Sequence, residues 1–223
     1  MTIGFLIAME NEYEPFLDKL GKIRRVEKIC GAEFCLYDHG KNTVVLAKSG
    51  IGEIAAASAA SILISRYDCD RILNFGLVGG LTDLSLGEVV AVRDVVHYDC
   101  DITPFGYELG AAVDTGSPYL PADNSILPPE KVGVLPMLRL ASGDKFIADE
   151  ERKAWLLSQF SADICDMEGA GVALTCTRAD VPFTMIKVVS DGADSGAVLD
   201  FKASKMRAFD MAISVVLFVL EAK

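Results

Sequence analysis

Short apolar runs alternate with segments of helical spacing along the whole chain, and this alternation is what most constrains the fold. Residues 2–9, 71–75 and 183–189 have the length and composition of buried strands, whereas the apolar stretch within 201–220 predicts a long closing helix. No linker, repeat or low-complexity segment interrupts the pattern. It predicts one α/β domain over residues 1–223, with a mixed central β-sheet between two layers of helices.

The remaining elements follow from the same two periodicities and from the turn residues. Further strands are predicted at residues 22–29, 33–37, 43–48, 88–98 and 131–141, and further helices at 10–20, 52–65, 149–159 and 168–178. A glycine-rich turn is expected after the strand that ends at Phe75. Residues 99–129 are rich in Pro and Gly and show little periodicity, and connections of that length are usually functional or lie at an interface.

The composition excludes several classes of protein. The chain has 21 Lys and Arg against 32 Asp and Glu, a net charge of −11, which argues against nucleic-acid binding because that needs a basic surface. With two histidines, no metal site is expected. Residues 211–220 are apolar but too few to span a bilayer, so we expect a buried helix and no membrane partner. Six scattered cysteines and an N-terminus unlike a signal peptide predict a cytoplasmic protein with reduced thiols.

Three carboxylates stand at or near strand ends, where catalytic groups lie in open α/β sheets. Glu12 follows the first strand, Asp191 follows Ser190 at the end of the strand 183–189, and Glu168 opens a small-residue helix. Each has a structural alternative, since Glu12 can complement a helix dipole and Asp191 can cap a turn. A buried Glu168 needs a partner such as a ribose hydroxyl. Their occurrence together favours a functional interpretation.

Two glycine clusters allow either a turn or a close approach of a ligand to the backbone. Residues 49–55 fit the G-x-G-x-x-A dinucleotide pattern, but two glycines in a tight strand-to-helix turn are the better explanation. The cluster at 74–80 offers either free N–H groups to a ligand or a turn with positive φ angles. Asp166, just before the helix at Glu168, is a candidate N-cap.

Seven segments together resemble the nucleoside phosphorylase and nucleosidase superfamily, and within it the 5′-methylthioadenosine/S-adenosylhomocysteine nucleosidases. They are IAMENE at 7–12, SGIG at 49–52, GLVGGL at 76–81, DCDITPFGY at 99–107, SGDKFI at 142–147, DME at 166–168 and SD at 190–191. The motifs occur in the family's order and spacing over nearly the whole chain. The resemblance implies a phosphorylase/hydrolase-like α/β fold, no cofactor, and hydrolysis of the N-glycosidic bond of an adenine nucleoside with a 5′-alkylthio group.

The resemblance also implies roles for the three carboxylates. Glu12 activates the attacking water, and Asp191, supported by Ser190, protonates N7 of the departing purine. Glu168 binds the ribose 2′- and 3′-hydroxyls, with Met167 packed beneath the sugar. This division is chemically coherent, because cleavage of a glycosidic bond uses one carboxyl group as the acid and another as the base for water.

The remaining contacts to the substrate are likewise implied by the resemblance. Phe146 stacks on the adenine, the Ile147 backbone reads the edge of the base, and Ile51 lines the 5′ pocket. Further binding residues are Met9, Val78, Gly79 and Lys187. The loop 102–107, through Ile102, Phe105 and Tyr107, reaches the 5′ pocket of a neighbouring subunit, so the resemblance implies a homodimer.

Three features depart from the family's pattern. Leu77 stands where the family usually has a small hydroxyl residue beside the sugar, and Lys187 where it usually has an arginine near the water or phosphate. The segment between Asp123 and Leu140 is short, and prolines at 128 and 129 disfavour the helix that the family has there. These departures bear on the substrate and the efficiency of the reaction and leave the three carboxylates in place.

Three alternatives stay open at the level of sequence. A nucleoside phosphorylase has the same fold, but a carboxylate at Glu12 would repel phosphate, which favours hydrolysis. A dinucleotide-dependent oxidoreductase is suggested by the turn at Gly50 and Gly52 alone. A non-catalytic nucleoside-binding or sensory protein is consistent with Leu77 and Lys187.

Overall fold

The computed structural model describes residues 1–127, 135–203 and 209–221. Its strands are β1 (Thr2–Ile7), β2 (Ile23–Ile29), β3 (Ala32–His39), β4 (Asn42–Lys48), β5 (Arg71–Gly80), β6 (Val89–His97), β7 (Tyr119–Pro121), β8 (Met137–Ser142), β9 (Ile164–Asp166) and β10 (Phe183–Asp191). Its helices are α1 (Glu10–Leu17), α2 (Glu53–Tyr67), α3 (Glu150–Phe160), α4 (Gly169–Ala179), α5 (Ala197–Ala203) and α6 (Phe209–Glu221), with a 3-10 turn at Thr103–Phe105. A mixed sheet with helices packed on it confirms the predicted α/β class.

The strands belong to one mixed sheet with an open half and a closed half. The open half runs β1–β4–β3–β2, with β1 and β4 parallel and the other neighbours antiparallel. In the closed half β5 pairs with β10, β10 with β6, β6 with β8 and β8 with β9, and β9 returns to the last two residues of β5. β1 pairs with β5 and joins the two halves. The register places Asp191 on one side of Gly79 and Cys165 on the other, so several strand ends meet at one point.

Successive residues of β1 point to opposite faces of the sheet, and both faces are covered. Phe5 and Ile7 pack in a cluster with residues of α1 and α6, whereas Leu6 packs in a second cluster with residues of α2 and α4. This burial on both sides explains why β1 is a continuous apolar run. Phe5 meets Phe16 of α1 edge to face at 4.9 Å between ring centroids. Replacement of such a fully buried ring by Ala costs about 3–5 kcal/mol.

The glycine-rich segment after Phe75 is strand, so the prediction of a turn there is wrong. β5 continues to Gly80 and pairs with β10 as far as Asp191. The glycines of β5 do not have positive φ angles, which a turn of the expected kind would require. They serve close packing instead: a Cβ at Gly76 would lie 3.3 Å from Glu12 Oε1, and a Cβ at Gly79 would lie 3.1 Å from Asp191 Oδ1.

At the other glycine cluster the tight-turn interpretation is confirmed. Gly50 and Gly52 have φ angles of 88° and 100°, in the region that favours glycine. The turn leads from β4 directly into α2, whose first residue is Glu53.

Several element boundaries differ from the sequence predictions. The helix expected to reach Leu20 ends at Leu17, because the N–H groups of Lys19 and Leu20 both donate to the Phe16 carbonyl and close a turn. The strand expected to end at residue 189 continues to Asp191. The long segment 99–129 contains β7, which pairs with β6.

Some predictions fall partly outside the described residues. The strand expected at 131–141 is observed as β8, which begins at Met137, and residues 131–134 lie outside the described part. Residues 128 and 129 also lie outside the described part. The prediction that no helix forms there depends on these two prolines. The helix expected at 201–220 is observed as α5 and α6, with residues 204–208 between them also outside the description.

The C-terminal apolar stretch forms a buried helix, as predicted. In α6 the side chains of Ile213, Val216 and Val219 are buried against the sheet. Among the helices that the structure describes, none combines the length and the apolar character needed to cross a membrane.

Candidate active site

A cavity of about 340 Å³ opens where the ends of β5, β9 and β10 meet. It is lined by eleven residues to which the resemblance gives a role in catalysis or substrate binding: Met9, Glu12, Ile51, Val78, Gly79, Phe146, Ile147, Met167, Glu168, Ser190 and Asp191. Leu77, Lys145, Cys165, Asp166 and Phe201 complete the wall. Segments far apart in the sequence therefore converge on one site.

Glu12 is the third residue of α1, and its side chain turns back towards the start of the helix. Oε2 accepts a hydrogen bond from Met9 N–H at 3.1 Å, and Oε1 accepts one from Leu77 N–H of β5 at 2.8 Å. Two N–H donors require two acceptor oxygens, and this favours the ionised carboxylate. Burial acts in the opposite direction and raises the pKa of Glu12 to about 7, against those bonds and the Lys187 ammonium. A carboxylate that titrates near neutral pH is suited to accept a proton from water.

Asp191 is held differently from Glu12. Its Oδ1 accepts a hydrogen bond from Ala193 N–H at 2.9 Å, while its Oδ2 lies 2.7 Å from Ser190 Oγ. The same Ser190 hydroxyl lies 3.2 Å from the carbonyl oxygen of Val78. A hydroxyl has one hydrogen, so when Ser190 donates to Val78 its contact with Asp191 is complete only if Asp191 donates. This set of partners suits the protonated acid.

The surroundings of Asp191 also favour its neutral form. Burial raises the pKa of Asp191 above its ordinary value, against the hydrogen bonds from Ser190 and Ala193, and the negative charges of Asp200 and Asp194 raise it further. The ladder between β10 and β5 contains a bulge between Val189 and Asp191. Such bulges redirect side chains at the ends of strands, which accounts for a polar pair emerging from an otherwise apolar strand.

Glu168 is held by the N-terminus of α2. Its Oε1 accepts a hydrogen bond from Gly52 N–H at 2.9 Å, and the next N–H, of Glu53, donates to Asp144 Oδ1 at 2.8 Å. The N-terminus of a helix favours negative charge, so this end fixes two carboxylates. Burial and the neighbouring Asp166 charge raise the pKa of Glu168 to about 7.

Lys187 lies behind the wall of the cavity. Its side chain is buried, and its Nζ is 2.7 Å from Asp166 Oδ2. Asp166 Oδ1 accepts a hydrogen bond from Gly169 N–H at 3.0 Å, but the N-cap residue of α4 is Glu168, so the prediction of Asp166 as the N-cap is wrong. The Lys187 charge also lowers the pKa of Glu12. The structure thus places Lys187 next to two carboxylates, whereas the resemblance implied contact with the substrate.

Apolar side chains form the rest of the cavity. Phe146 follows β8, is 44% exposed, and meets Phe201 edge to face at 5.8 Å between ring centroids. Ile147 is buried beside it, and Met167 lies next to Glu168 in the wall. A flat, apolar group could be accommodated between these side chains and the carboxylates.

The loop residues Ile102, Phe105 and Tyr107 lie outside this cavity. They belong to the segment around the 3-10 turn, and Phe105 is 81% exposed. Within one chain they therefore make no contribution to the site.

Sequence reasoning missed Lys145, Cys165 and Phe201 as lining residues. Lys145 lies within the motif at 142–147 and Cys165 immediately precedes the motif at 166–168, so their positions in the sequence carried a usable signal. Phe201 had none, because it stands at the start of what was predicted to be a core helix.

The arrangement brings two carboxyl groups with different hydrogen-bond partners to one cavity. Glu12 packs against Gly76 and Leu77 of β5, and Asp191 packs against Gly79 two residues further along the same strand. Within the described residues, no group of three or more His, Cys, Asp or Glu side chains is arranged to hold a metal ion.

Comparison with known proteins places the chain in a family. Residues 2–221 match the family model described as the Phosphorylase superfamily. A protein of Shewanella pealeana named 5′-methylthioadenosine/S-adenosylhomocysteine nucleosidase is 32% identical over 229 residues, covering 99% of each chain.

Two solved structures show the same likeness in three dimensions. One is a 5′-methylthioadenosine/S-adenosylhomocysteine nucleosidase of Colwellia psychrerythraea in complex with adenine, with 29% identity, a TM-score of 0.90 and coverage of 99% of this chain and 94% of that chain. The other is a futalosine hydrolase mutant of Helicobacter pylori, with 26% identity, a TM-score of 0.93 and coverage of 99% of each chain. The predicted phosphorylase/hydrolase-like fold is confirmed, and this chain belongs to the phosphorylase superfamily.

Proposed function

We propose that this chain is an N-ribosyl hydrolase that releases adenine from a 5′-alkylthio adenine nucleoside, such as methylthioadenosine or S-adenosylhomocysteine. The observation that carries the proposal is the pair of carboxyl groups at one cavity. Glu12 has two N–H donors, as a base needs, and Asp191 has partners that suit an acid. The nucleosidase names of relatives over 99% of the chain support the same activity.

In the proposed reaction Glu12 takes a proton from water as the water oxygen attacks C1′ of the ribose. The bond from C1′ to the purine nitrogen breaks, and its electron pair leaves with the base. Asp191 gives its proton to N7 of the purine, so that a neutral adenine departs. Positive charge develops on the sugar during this step, and the nearby carboxylates stabilise it.

The other lining residues are assigned by the same proposal. Glu168 binds the ribose 2′- and 3′-hydroxyls, since the Gly52 N–H already fixes one of its oxygens. Met167 packs beneath the sugar, Phe146 stacks on adenine, and the Ile147 backbone reads the base. Met9, Ile51, Val78 and Gly79 complete the wall around the sugar and its 5′ substituent.

Water rather than phosphate is the proposed nucleophile. A phosphate dianion would have to approach the carboxylate of Glu12, and the nearby Lys187 charge is already paired with Asp166. Adenine release from methylthioadenosine with and without inorganic phosphate tests this point. We expect equal rates, and a strict requirement for phosphate would establish the phosphorylase alternative.

The identity of the 5′ group is the second part of the test. The likeness to a futalosine hydrolase, with a TM-score of 0.93, makes a futalosine-type nucleoside the second candidate substrate. A panel of methylthioadenosine, S-adenosylhomocysteine, 5′-deoxyadenosine, adenosine, inosine and a futalosine-type nucleoside, assayed for purine release, ranks them. We expect the 5′-alkylthio adenine nucleosides to have the highest kcat/KM.

We further propose that residues 1–223 form a single domain and that two copies form a homodimer. The exposed apolar side chains of Ile54, Phe105 and Val113 support an interface, because they are 82%, 81% and 64% exposed in the single chain. In the dimer Ile102, Phe105 and Tyr107 would reach the partner's 5′ pocket. Sedimentation of the wild type and of Phe105→Ala tests the assembly. Cytoplasmic location stays a prediction from the sequence.

A further inference from the structure

At the wall of the cavity, a second serine joins two buried carboxyl groups, of which Asp166 lines the cavity and Glu53 lies behind it. Ser142 Oγ lies 2.7 Å from Glu53 Oε1 and 2.6 Å from Asp166 Oδ1. Ser142 is 0% exposed, and Glu53 and Asp166 are buried beside it. Glu53 is the first residue of α2 and does not line the cavity. None of the seven motifs that carry the family resemblance includes it.

The single hydrogen of the Ser142 hydroxyl cannot serve both contacts. A serine donates once, so a second carboxyl oxygen at hydrogen-bond distance must bring its own hydrogen. If both carboxyl groups were ionised, one of the two short contacts would bring two oxygen atoms together without a hydrogen between them. Such a contact between buried polar atoms is unfavourable in free energy. One of the two groups is therefore protonated.

The partners of Asp166 decide which group carries the proton. Its Oδ2 faces the Lys187 ammonium at 2.7 Å, and its Oδ1 accepts from Gly169 N–H at 3.0 Å. Every one of these partners is a donor, so Asp166 is the ionised member. The hydrogen of Ser142 then points to Asp166, and the hydrogen of Glu53 points to Ser142.

From this geometry we infer that Glu53 is held as a neutral carboxylic acid and is a positioning residue for the proposed hydrolysis. It donates to Ser142, Ser142 donates to Asp166, and Asp166 holds the Lys187 ammonium next to Glu12. The chain of contacts fixes the positive charge that keeps the catalytic base available in its ionised form. The inference rests on the proposed function only for its effect on catalysis.

The electrostatic surroundings of Glu53 agree with a neutral acid. Burial raises the pKa of Glu53 to about 8, and the charges of Asp166 and Asp144 act in the same direction, against the Ser142 hydrogen bond and the Gly171 N–H. Tyr98 also faces the group, and its own pKa is raised, chiefly by burial. With an acid pKa one unit above the pH, roughly nine in ten molecules carry the proton.

Infrared spectroscopy of the whole protein tests the protonation directly. The difference spectrum of wild type minus Glu53→Gln at pH 7 should contain the carbonyl stretch of a protonated carboxylic acid, and the band should vanish as the pH is raised through about 8. Glu14→Gln, at an exposed glutamate, is the matched control and should remove only carboxylate bands. Carboxylate bands alone in the Glu53 difference at pH 7 would overturn the inference.

Kinetics of two variants test the positioning. Gln reproduces the donor of a neutral acid, so Glu53→Gln should keep kcat for adenine release within about threefold of the wild type. Glu53→Met has a similar size but no donor and leaves Ser142 unsatisfied, so it should lower kcat by roughly tenfold with little change in KM. If Glu53→Gln lowers kcat as much as Glu53→Met does, the inference is contradicted. If Glu53→Met does not fold, the infrared measurement still tests the protonation of Glu53. Wild-type protein without any adenine release would refute the proposed function and leave the infrared result intact.

Discussion

Glu12 and Asp191 are carboxyl groups at the same cavity, and their hydrogen-bond partners are opposite in kind. Glu12 is met by two backbone N–H groups, from Met9 and Leu77, so both of its oxygens must accept. Asp191 is met by one N–H group, from Ala193, and by the Ser190 hydroxyl, which is also within reach of a carbonyl oxygen. Neighbouring donors and acceptors, more than the residue type, thus support the proposed division into base and acid.

Burial is common to both groups and does not distinguish them. Glu12 is 1% exposed and Asp191 is 2% exposed, and burial raises the pKa of each. The difference lies in the charge nearby: the Lys187 ammonium lowers the pKa of Glu12, whereas Asp194 and Asp200 raise that of Asp191. At Glu12 the nearby positive charge and the two N–H bonds both lower the pKa, whereas at Asp191 the nearby negative charges oppose the hydrogen bonds from Ser190 and Ala193.

The largest expected effect is that of Glu12→Gln, which removes the proposed general base. Loss of general-base catalysis should lower kcat by about 10²–10⁴. The new NH₂ group must also face the N–H of Met9 or Leu77, and a buried unsatisfied donor costs about 1–3 kcal/mol. Thermal unfolding should therefore begin several degrees lower. Glu14→Gln, at an exposed position on the same helix, is the control and should change neither quantity.

Asp191→Asn should impair catalysis to a similar degree while leaving stability unchanged. Asn cannot release a proton to the purine, so kcat should fall by about 10²–10⁴. Its NH₂ group can donate to Ser190 and its oxygen can accept from Ala193, which reproduces the bonds of the neutral acid. Thermal unfolding within about a degree of the wild type is the expected result. A variant as unstable as Glu12→Gln would show that Asp191 is held as a carboxylate.

The pH profile sharpens the same contrast without any substitution. Glu12 must be ionised to accept a proton, so kcat/KM should rise with pH and level off above the pKa of Glu12, about 7. Below that value activity should fall by about tenfold per pH unit. Asp191 must be protonated, so a decline is expected on the alkaline side. A kcat/KM that decreases steadily from pH 5 to pH 8 would contradict the assignment of Glu12 as the base.

The smallest expected effect is that of Gly79→Ala. A Cβ there would lie 3.1 Å from Asp191 Oδ1 and 3.0 Å from Cys165 Sγ, so Asp191 must shift by a few tenths of an ångström. We expect kcat to fall by about fivefold to tenfold, since misplacement of reacting groups is costly. Gly80→Ala is the matched control in the same strand, because its Cβ would meet Val189 Cγ1 at 3.4 Å, an ordinary contact. Equal effects from the two substitutions would show that β5 itself, rather than Asp191, is sensitive.

The sequence predicted the α/β class, and it singled out three carboxylates that the structure brings to one cavity, because both depend on local signals. Buried strands such as β1 and β10 are continuous apolar runs, and polar residues at their ends stand out. The glycines of β5 were misread as a turn, because their purpose is to make room for Glu12 and Asp191, which come from other parts of the chain. Contacts of that kind leave no periodic signal.

The cluster of Glu53, Ser142 and Asp166 shows the same limit. Its members are separated by 89 and 24 positions in the sequence, and nothing in their local patterns connects them. The buried pair of Lys187 and Asp166 is another example, since the sequence alone presented Lys187 as a residue that touches the substrate. Only the closure of the sheet brings these side chains together.

The most direct test of the account follows the fate of water in one reaction. Wild-type protein is incubated with methylthioadenosine in isotopically labelled water without phosphate, and the products are analysed by mass spectrometry. We expect free adenine together with a 5′-methylthioribose that carries the label at C1. No turnover without phosphate, or release of adenine with an unlabelled sugar, would contradict it.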